Sequence, residues 1–198
     1  MSLLIESLCC VDGIIQNIKY HNERMNKSRY DLFGCNDTLC IENFVSLPDY
    51  AYTGIWKVRV HYDSAIHHIE YELYKKKSIK TLKIVIDDSI DYSYKYSDRS
   101  RIAYLFEKRG NADDILILKN GLVTDSSTAN VAFYNGKQWV TPATPLLPGT
   151  KRACLIDEGL ISQRYIRLND IGMFTHVSLI NAFLDIGDIV VPITSIEM

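Results

Sequence analysis

Three dipeptides do most to limit the folds open to this chain. Asp12-Gly13, Asn120-Gly121 and Asn135-Gly136 each stand between short apolar runs. Such pairs readily adopt the left-handed backbone of a tight β-hairpin. "LLIESLCCVDGIIQNI" therefore predicts two strands about its turn, and "DDILILKNGLVTD" and "NVAFYNGKQWVTP" predict two further hairpins. Hairpins that recur late in the chain, with helical patterns between them, predict a mixed α and β protein.

The remaining elements fill in around the hairpins. "YHNERMNKSRYDLFG" predicts a helix with Met25, Tyr30, Leu32 and Phe33 as apolar contacts, stopped at Gly34. A second short helix is expected within 37–50, before Pro48. "IWKVRVHYD" and "HHIEYELYKKK" alternate as half-buried strands, the latter with Ile69, Tyr71 and Leu73 on one face, and "TLKIVIDD" is a further strand. "DYSYK" reads as the end of a strand. "SDRSRIAYLFEKRG" reads as a helix capped by Ser97 or Asp98 and stopped at Gly110, and "LLPGTKRACLIDEGL" starts a helix near Thr150 that ends by Gly159. "SLINAFLDIGDIVVPI" is strand-like with one short helical stretch. The polar stretch 87–93 marks the expected boundary between a small N-terminal α+β lobe, residues 1–88, and a larger C-terminal lobe, residues 89–198.

Composition excludes several classes. The 198 residues are 47% hydrophobic, enough for a sizeable core, and carry a formal net charge of −2 with Lys and Arg spread along the chain. A nucleic-acid-binding surface is therefore not expected. No apolar run reaches membrane-span length, and the N-terminus has no basic leader while Glu6 interrupts its apolar run, so neither a membrane segment nor a signal peptide is expected. Cys9, Cys10, Cys35, Cys40 and Cys154 are odd in number and show no CxxC spacing, which suits a reduced cytoplasmic protein.

Four stretches could carry chemistry. Lys95 lies among tyrosines in "DYSYKYSDR"; at a strand end a desolvated lysine becomes a nucleophile or Schiff-base former, though alone it is better read as a snorkelling side chain. Asp125 precedes a cluster of small polar residues, Ser127, Thr128 and Asn130, and could hold a ring nitrogen protonated; alone it is a loop acid. Gly149, Thr150 and Lys151 stand at a predicted helix N-terminus, which favours an anion. Arg24 could add a charge-assisted contact to a phosphate; alone it is a solvated helix charge.

In order, "YHNERMNKSR", "YKYSDR", "DDILILKNGLVTDSSTANVAF" and "TPATPLLPGTKR" resemble the class IV aminotransferases, over about Ile5 to Ala182. These are fold-type IV pyridoxal-phosphate (PLP) enzymes, among them branched-chain and D-amino-acid transaminases and 4-amino-4-deoxychorismate lyase. The resemblance implies a two-lobed D-amino-acid-aminotransferase-like fold, α/β overall, with PLP as cofactor, a small-molecule amino substrate and a homodimer. It implies that Lys95 anchors PLP covalently and shuttles a proton, and that Asp125 pairs with the pyridinium nitrogen. Arg24, in the His-x-x-Arg pattern His21 to Arg24, would bind the phosphate with Gly149, Thr150 and Lys151. Ser127, Thr128, Asn130 and Asn181 would lie against the cofactor, and Tyr94, Arg99 and Ser178 toward the substrate. Arg99 matches a lyase-like Lys-x-x-x-Arg pattern, and a short member carrying "KYSDR" and "LINA" looks more like the lyase, which releases pyruvate to give 4-aminobenzoate, than like a branched-chain transaminase.

Two departures from the family pattern stand out. Asp125 is one methylene shorter than the usual glutamate, and matching begins at Ile5-Glu6-Ser7, without the strand and loop that usually precede it. Of the rival classes, a metal hydrolase built on His61, His67, His68 and Glu70 fails because adjacent His67 and His68 point to opposite faces of a strand, so no metal is expected. A thiol enzyme using Cys9 or Cys154 lacks a positioned partner. A PLP-fold protein that binds without turnover is the non-enzymatic alternative.

Overall fold

The computed structural model describes residues 3–198 and divides into two compact units. The chain up to Lys76, together with Tyr94–Asp98, forms the first; Lys77–Ser93 and Arg99–Met198 form the second. The division thus falls at Lys76 rather than at residue 88, and the Lys95 segment belongs with the first unit.

The first unit is built on strands β1 (Leu4–Val11), β2 (Ile14–Ile15), β3 (Ile55–Tyr62) and β4 (Ile66–Leu73), with helix α1 (Ile18–Phe33). The sheet runs in the order β2-β1-β3-β4, with each neighbouring pair antiparallel. Asp12 at φ 47° and Gly13 at φ 83° make the left-handed pair expected of the first turn. Period-two alternation sends Leu4, Leu8 and Cys10 of β1, with Val58, Val60 and Tyr62 of β3, into a core that Met25 of α1 joins. Burying such side chains stabilises by about 1.5–3 kcal/mol each, far more than the propensity of any one element. Helix α1 closes on Gly34, whose left-handed φ of 69° lets its N–H reach back to the Tyr30 carbonyl. The helix expected within 37–50 is instead two single 3-10 turns, Ile41–Asn43 and Asp49–Tyr52. Pro48 between them cannot continue a helical hydrogen-bond ladder.

The second unit holds β5 (Leu82–Ile86), α2 (Ser100–Phe106), β6 (Asp114–Lys119), β7 (Leu122–Ser126), β8 (Asn130–Tyr134), β9 (Trp139–Pro142), α3 (Thr150–Asp157), β10 (Ile161–Arg164), β11 (His176–Ile180), β12 (Val190–Pro192) and β13 (Ile196–Glu197). Its sheet runs β10-β9-β8-β7-β6-β5-β13, with β11 joined to β8 and β12. Strand β5, assigned by pattern to the N-terminal lobe, lies here. It pairs in parallel with β6, whose residues Asp114 to Leu118 are buried in succession, as expected of a strand covered on both faces. Phe133, Val131, Val177 and Leu179 pack at the centre of the core.

Two local expectations differ here. No strand ends in "DYSYK": Tyr96 makes a single bridge to Leu4, because its N–H turns back onto the Tyr94 carbonyl at 2.9 Å. Helix α2 begins at Ser100, with Arg99 rather than Ser97 or Asp98 at its cap and no side-chain cap bond. The stretch beyond β11 turns at Asn181–Leu184 without forming a helix.

Candidate active site

In the first unit, the segment carrying Lys95 lies along β1. Ile5 donates to the Lys95 carbonyl and Ser97 to the Leu3 carbonyl, both at 2.9 Å. Tyr94 and Tyr96 pack against the apolar core of this unit, and the Tyr94 hydroxyl donates to Asp31 Oδ2 at 3.1 Å. Tyr94, expected beside the substrate, is thus tied to α1.

Beside that segment lies a buried ionic centre. Glu6 occupies the core face of β1 between Leu4 and Leu8 and is 0% exposed. Arg24 Nε and Nη2 grip its two oxygens at 2.9 and 2.6 Å, and His21 Nδ1 lies 2.7 Å from Oε2. Burial alone would push this carboxyl up, but the Arg24 charge and the bonds from His21 and Arg24 outweigh it and hold it at about 2. Burial pushes the His21 imidazole down, against the pull of Glu6, and the Lys95 ammonium adds to the fall. His21 is therefore neutral and donates Nδ1–H to Glu6. Arg24 is held by a carboxylate two hydrogen bonds deep, a fixed fork rather than a solvated helix charge. Sequence reasoning missed this role for Glu6 and His21; a carboxylate in the buried register of an apolar strand was the available signal.

In the second unit, Asp125 is the next-to-last residue of β7, where that strand meets β8, opposite Asn130. Its Oδ1 accepts from Asn130 Nδ2 at 2.7 Å and its Oδ2 from the Leu147 N–H at 3.0 Å. Burial raises its carboxyl to about 6, with Leu147, Asn130 and the nearby Arg152 charge restraining the rise. Asn130 Nδ2 donates also to the Leu147 carbonyl at 2.9 Å. Asp125 and Asn130 thereby pin the loop that feeds α3. Gly149 completes the arrangement: a Cβ there would stand 1.9 Å from Asn130 Oδ1, so only glycine fits. Thr150 and Lys151 follow in the first turn of α3, where N–H groups and the helix dipole favour an anion.

The other expected residues are distributed around that loop. Arg99 Nη2 donates to the Ser127 carbonyl, while its buried Nε has no hydrogen-bond partner among the described residues. Asn181 Nδ2 donates to the Thr128 carbonyl at 3.3 Å, which sets Asn181 against the same loop. Lys151 Nζ pairs with Asp185 Oδ2 at 2.9 Å. Ser178 is fully buried and accepts the Gly187 N–H at 3.1 Å, a contact internal to the sheet. Two buried charges were missed by sequence reasoning. Arg152 ties α3 to the Pro142 carbonyl at 2.8 Å and to Gln163 at 2.9 Å. Asp114 has a buried Oδ2 with no partner among the described residues, and burial raises its carboxyl.

Adjacent His67 and His68 of the rival metal reading pair with separate carboxylates. His67 pairs with Asp63 at 2.7 Å, whereas His68 faces Glu70 at 3.6 Å. Among the described residues no group of three or more His, Cys, Asp or Glu side chains is arranged to hold a metal ion. Cys9 and Cys154 are both buried. No helix among the described residues is long and apolar enough to cross a membrane.

The two sheets, with their strand orders, have the architecture of the fold-type IV PLP enzymes. A crystal structure from Haemophilus somnus 129PT, provisionally described as a 4-amino-4-deoxychorismate lyase, superposes with a TM-score of 0.87 at 32% identity, covering 92% of this chain and 96% of that one. A PLP-bound protein of Mycobacterium tuberculosis, described as a hypothetical aminotransferase, shares the fold at a TM-score of 0.79 and 14% identity, over 98% of this chain and 81% of its own. An uncharacterised protein of Haemophilus influenzae strain Rd is 42% identical over 181 residues, 90% of this chain and 96% of its own. Residues 95–196 match the sequence profile of the family described as amino-transferase class IV. The chain belongs to that family, whose members are PLP-dependent enzymes.

Proposed function

We propose that the protein is a PLP-dependent 4-amino-4-deoxychorismate lyase, eliminating pyruvate to leave 4-aminobenzoate, a folate precursor. The observation that carries this reading is the likeness to the Haemophilus somnus protein, which extends over nearly the whole of both chains. The Lys95-x-x-x-Arg99 spacing supports it. In this reading the enzyme is a cytoplasmic homodimer, and none of its five cysteines is joined in a disulfide.

The residues present fit the cofactor. Lys95 supplies an amine, and Arg24 a guanidinium already fixed by Glu6. Gly149 leads into the first turn of α3, which suits a phosphate. Asp125 spends one hydrogen bond on each oxygen, and an ionised carboxylate has about four lone-pair sites, so it can still receive a pyridinium N–H. Such a cation would also lower the carboxyl from about 6 and hold it ionised.

Bound PLP supplies an electron sink for the substrate carbon that bears the amine. Lys95 would hold the cofactor and then take the proton from that carbon. The carbon–oxygen bond to the enolpyruvyl group breaks, the oxygen leaves with the pyruvate, and the ring becomes aromatic. Asp125 would keep the ring nitrogen protonated. Arg24, Thr150 and Lys151 would orient the phosphate, and Asn130, through Asp125 and Leu147, would keep the loop in register. Ser127, Thr128 and Asn181 would border the cofactor, and Arg99 would steady the Ser127 carbonyl.

The test is spectroscopic and then chemical. Purified protein should absorb in the visible, and borohydride followed by peptide mass spectrometry should fix the cofactor on Lys95 and not in Lys95→Ala. Pyruvate release from 4-amino-4-deoxychorismate without any oxo acid supports the lyase. Turnover that strictly requires 2-oxoglutarate identifies instead a transaminase, the reading favoured by a Mesorhizobium loti structure provisionally described as an amino-acid aminotransferase. A colourless protein that takes up no PLP makes it a binding protein without turnover.

A further inference from the structure

The buried centre of the first unit is balanced in charge before any ligand arrives. Glu6 is 0% exposed, and Arg24 cancels its negative charge through Nε and Nη2 at 2.9 and 2.6 Å. His21, also 0% exposed, brings Nδ1 within 2.7 Å of the same Oε2 that Arg24 Nη2 holds. Burial keeps that imidazole neutral, so the three side chains together carry no net charge.

Such a balanced group attracts an anion weakly. A phosphate arriving at Arg24 would bring a charge of about −1.5 to −2, and the arginine that should draw it is already offset by Glu6. A buried negative excess is costly unless a cation or a proton offsets it. Few of the groups facing His21 can take that proton. Arg24, on α1 itself, is a permanent cation. From β1, Glu6 is held at about 2. From β3, burial and then the Glu6 charge push the Tyr62 phenol up, so it keeps the proton it has. From its own segment, Lys95 acts on the imidazole as an ammonium. The 3-10 turn Ile41–Asn43 offers Glu42, which accepts from Asn22 Nδ2 at 2.8 Å. Among these groups, His21 is the one able to gain a proton near neutral pH. An incoming dianion also outweighs the Lys95 ammonium, and so reverses the field that opposes a charged imidazole.

We propose that His21 is a positioning residue for the phosphate, gaining a proton from solvent as the anion docks at Arg24. The proton enters at Nε2, because Nδ1–H is committed to Glu6. The Glu6–Arg24–His21 group then turns from neutral to singly positive, and Glu6 keeps a charged donor on Oε2 as Arg24 leans toward the anion. This rests on the reading of Arg24 as the phosphate's partner and adds to it a linked proton. Linkage fixes the sign: the anion-bound protein holds the extra proton, so binding tightens as pH falls.

The test uses PLP-loaded protein and, separately, unloaded protein titrated with sulfate, a dianion that takes up no proton near neutrality. Ring-nitrogen chemical shifts of isotope-labelled histidine report each protonation state, and His21→Asn assigns His21 among the five histidines. That replacement keeps an N–H donor for Glu6 but cannot titrate. Without an anion, His21 should carry one proton, on Nδ1; with sulfate or PLP bound, both ring nitrogens should carry one. Calorimetry in buffers of different ionisation enthalpy should show sulfate binding with proton uptake in wild type and none in His21→Asn. Sulfate affinity should rise by up to about tenfold per unit as pH is lowered from about 8 to 5, and stay flat in His21→Asn. A misfolded His21→Asn leaves the wild-type spectra and proton uptake to decide. The proposal alone is overturned if Arg24→Met weakens anion binding while His21 in the anion-bound wild type still carries a single proton. Anion binding that Arg24→Met leaves unchanged, or failure of both sulfate and PLP to bind, refutes the Arg24 reading and the proposal with it.

Discussion

Replacing Gly149 by alanine should destabilise the protein, although nothing in the backbone forbids it. The residue sits at φ −74° and ψ 146°, which alanine adopts freely. At such a position the substitution normally stabilises by about 0.4–1 kcal/mol, through the unfolded chain. Here the new Cβ would lie 1.9 Å from Asn130 Oδ1 and 3.1 Å from Asn130 Cγ. The amide cannot swing aside without breaking its bonds to Asp125 at 2.7 Å and Leu147 at 2.9 Å. Overpacking of this kind costs about 1–3 kcal/mol, and losing either bond adds about 1 kcal/mol or more. Gly149→Ala should therefore lose about 2–3 kcal/mol in urea unfolding of the cofactor-free protein. Asn130→Ala removes the obstacle along with its bonds. In that background Gly149→Ala should become neutral or stabilising, giving a coupling of about 2–4 kcal/mol between the sites. Equal effects of Gly149→Ala in both backgrounds would refute the account of the Asp125 loop given above.

Two carboxylates should set opposite pH slopes in the cofactor-free protein. Glu6 is lowered from 4.5 to about 2, so its contribution is present above pH 4.5 and is lost as pH falls toward 2, roughly 3 kcal/mol in all. Urea midpoints measured across that window should show a shallower acid slope for Glu6→Gln. Asp125 is raised from 3.8 to about 6, so the folded chain binds the extra proton and stability falls as pH rises from about 4 to 6. Asp125→Asn should remove that decline while weakening PLP retention, read by absorbance after dialysis. Arg152→Met should cost about 2–4 kcal/mol in the same unfolding assay, because buried carbonyl and amide acceptors lose their donor. It should also move the Asp125 transition to higher pH by removing a nearby positive charge.

Much of the fold was legible because local chemistry and final structure agree. Asp12-Gly13 and Asn120-Gly121 are left-handed pairs in the structure, and Gly34 closes α1 where the pattern placed its end. Less legible was anything decided by a partner far along the chain. The alternation of "TLKIVIDD" says strand but not which sheet, and the choice was made by the apolar run of β6. "DYSYK" alternates like a strand, yet its pairing is one bridge long because the chain doubles back at Lys95. At the site, Lys95, Asp125 and Arg24 drew attention through residue type and order. Their supports did not: the grip of Glu6 on Arg24 needs β1 beside α1, and the fit of Asn130 under Gly149 needs two segments 19 residues apart to touch. Such contacts leave no periodic trace.

Strand β13 carries a consequence for how this protein is made. Ile196 pairs in parallel with Leu82 of β5, 114 residues earlier, and the pair closes one edge of the larger sheet. Loop closure over such a span contributes nothing until β13 has left the ribosome, so β5 waits with that edge bare while the intervening chain is made. The second unit should therefore close that edge only once residues 196–197 have emerged. Bulky fusions placed just after residue 197, and nascent chains stalled just before Ile196, should be the versions most prone to chaperone dependence and aggregation.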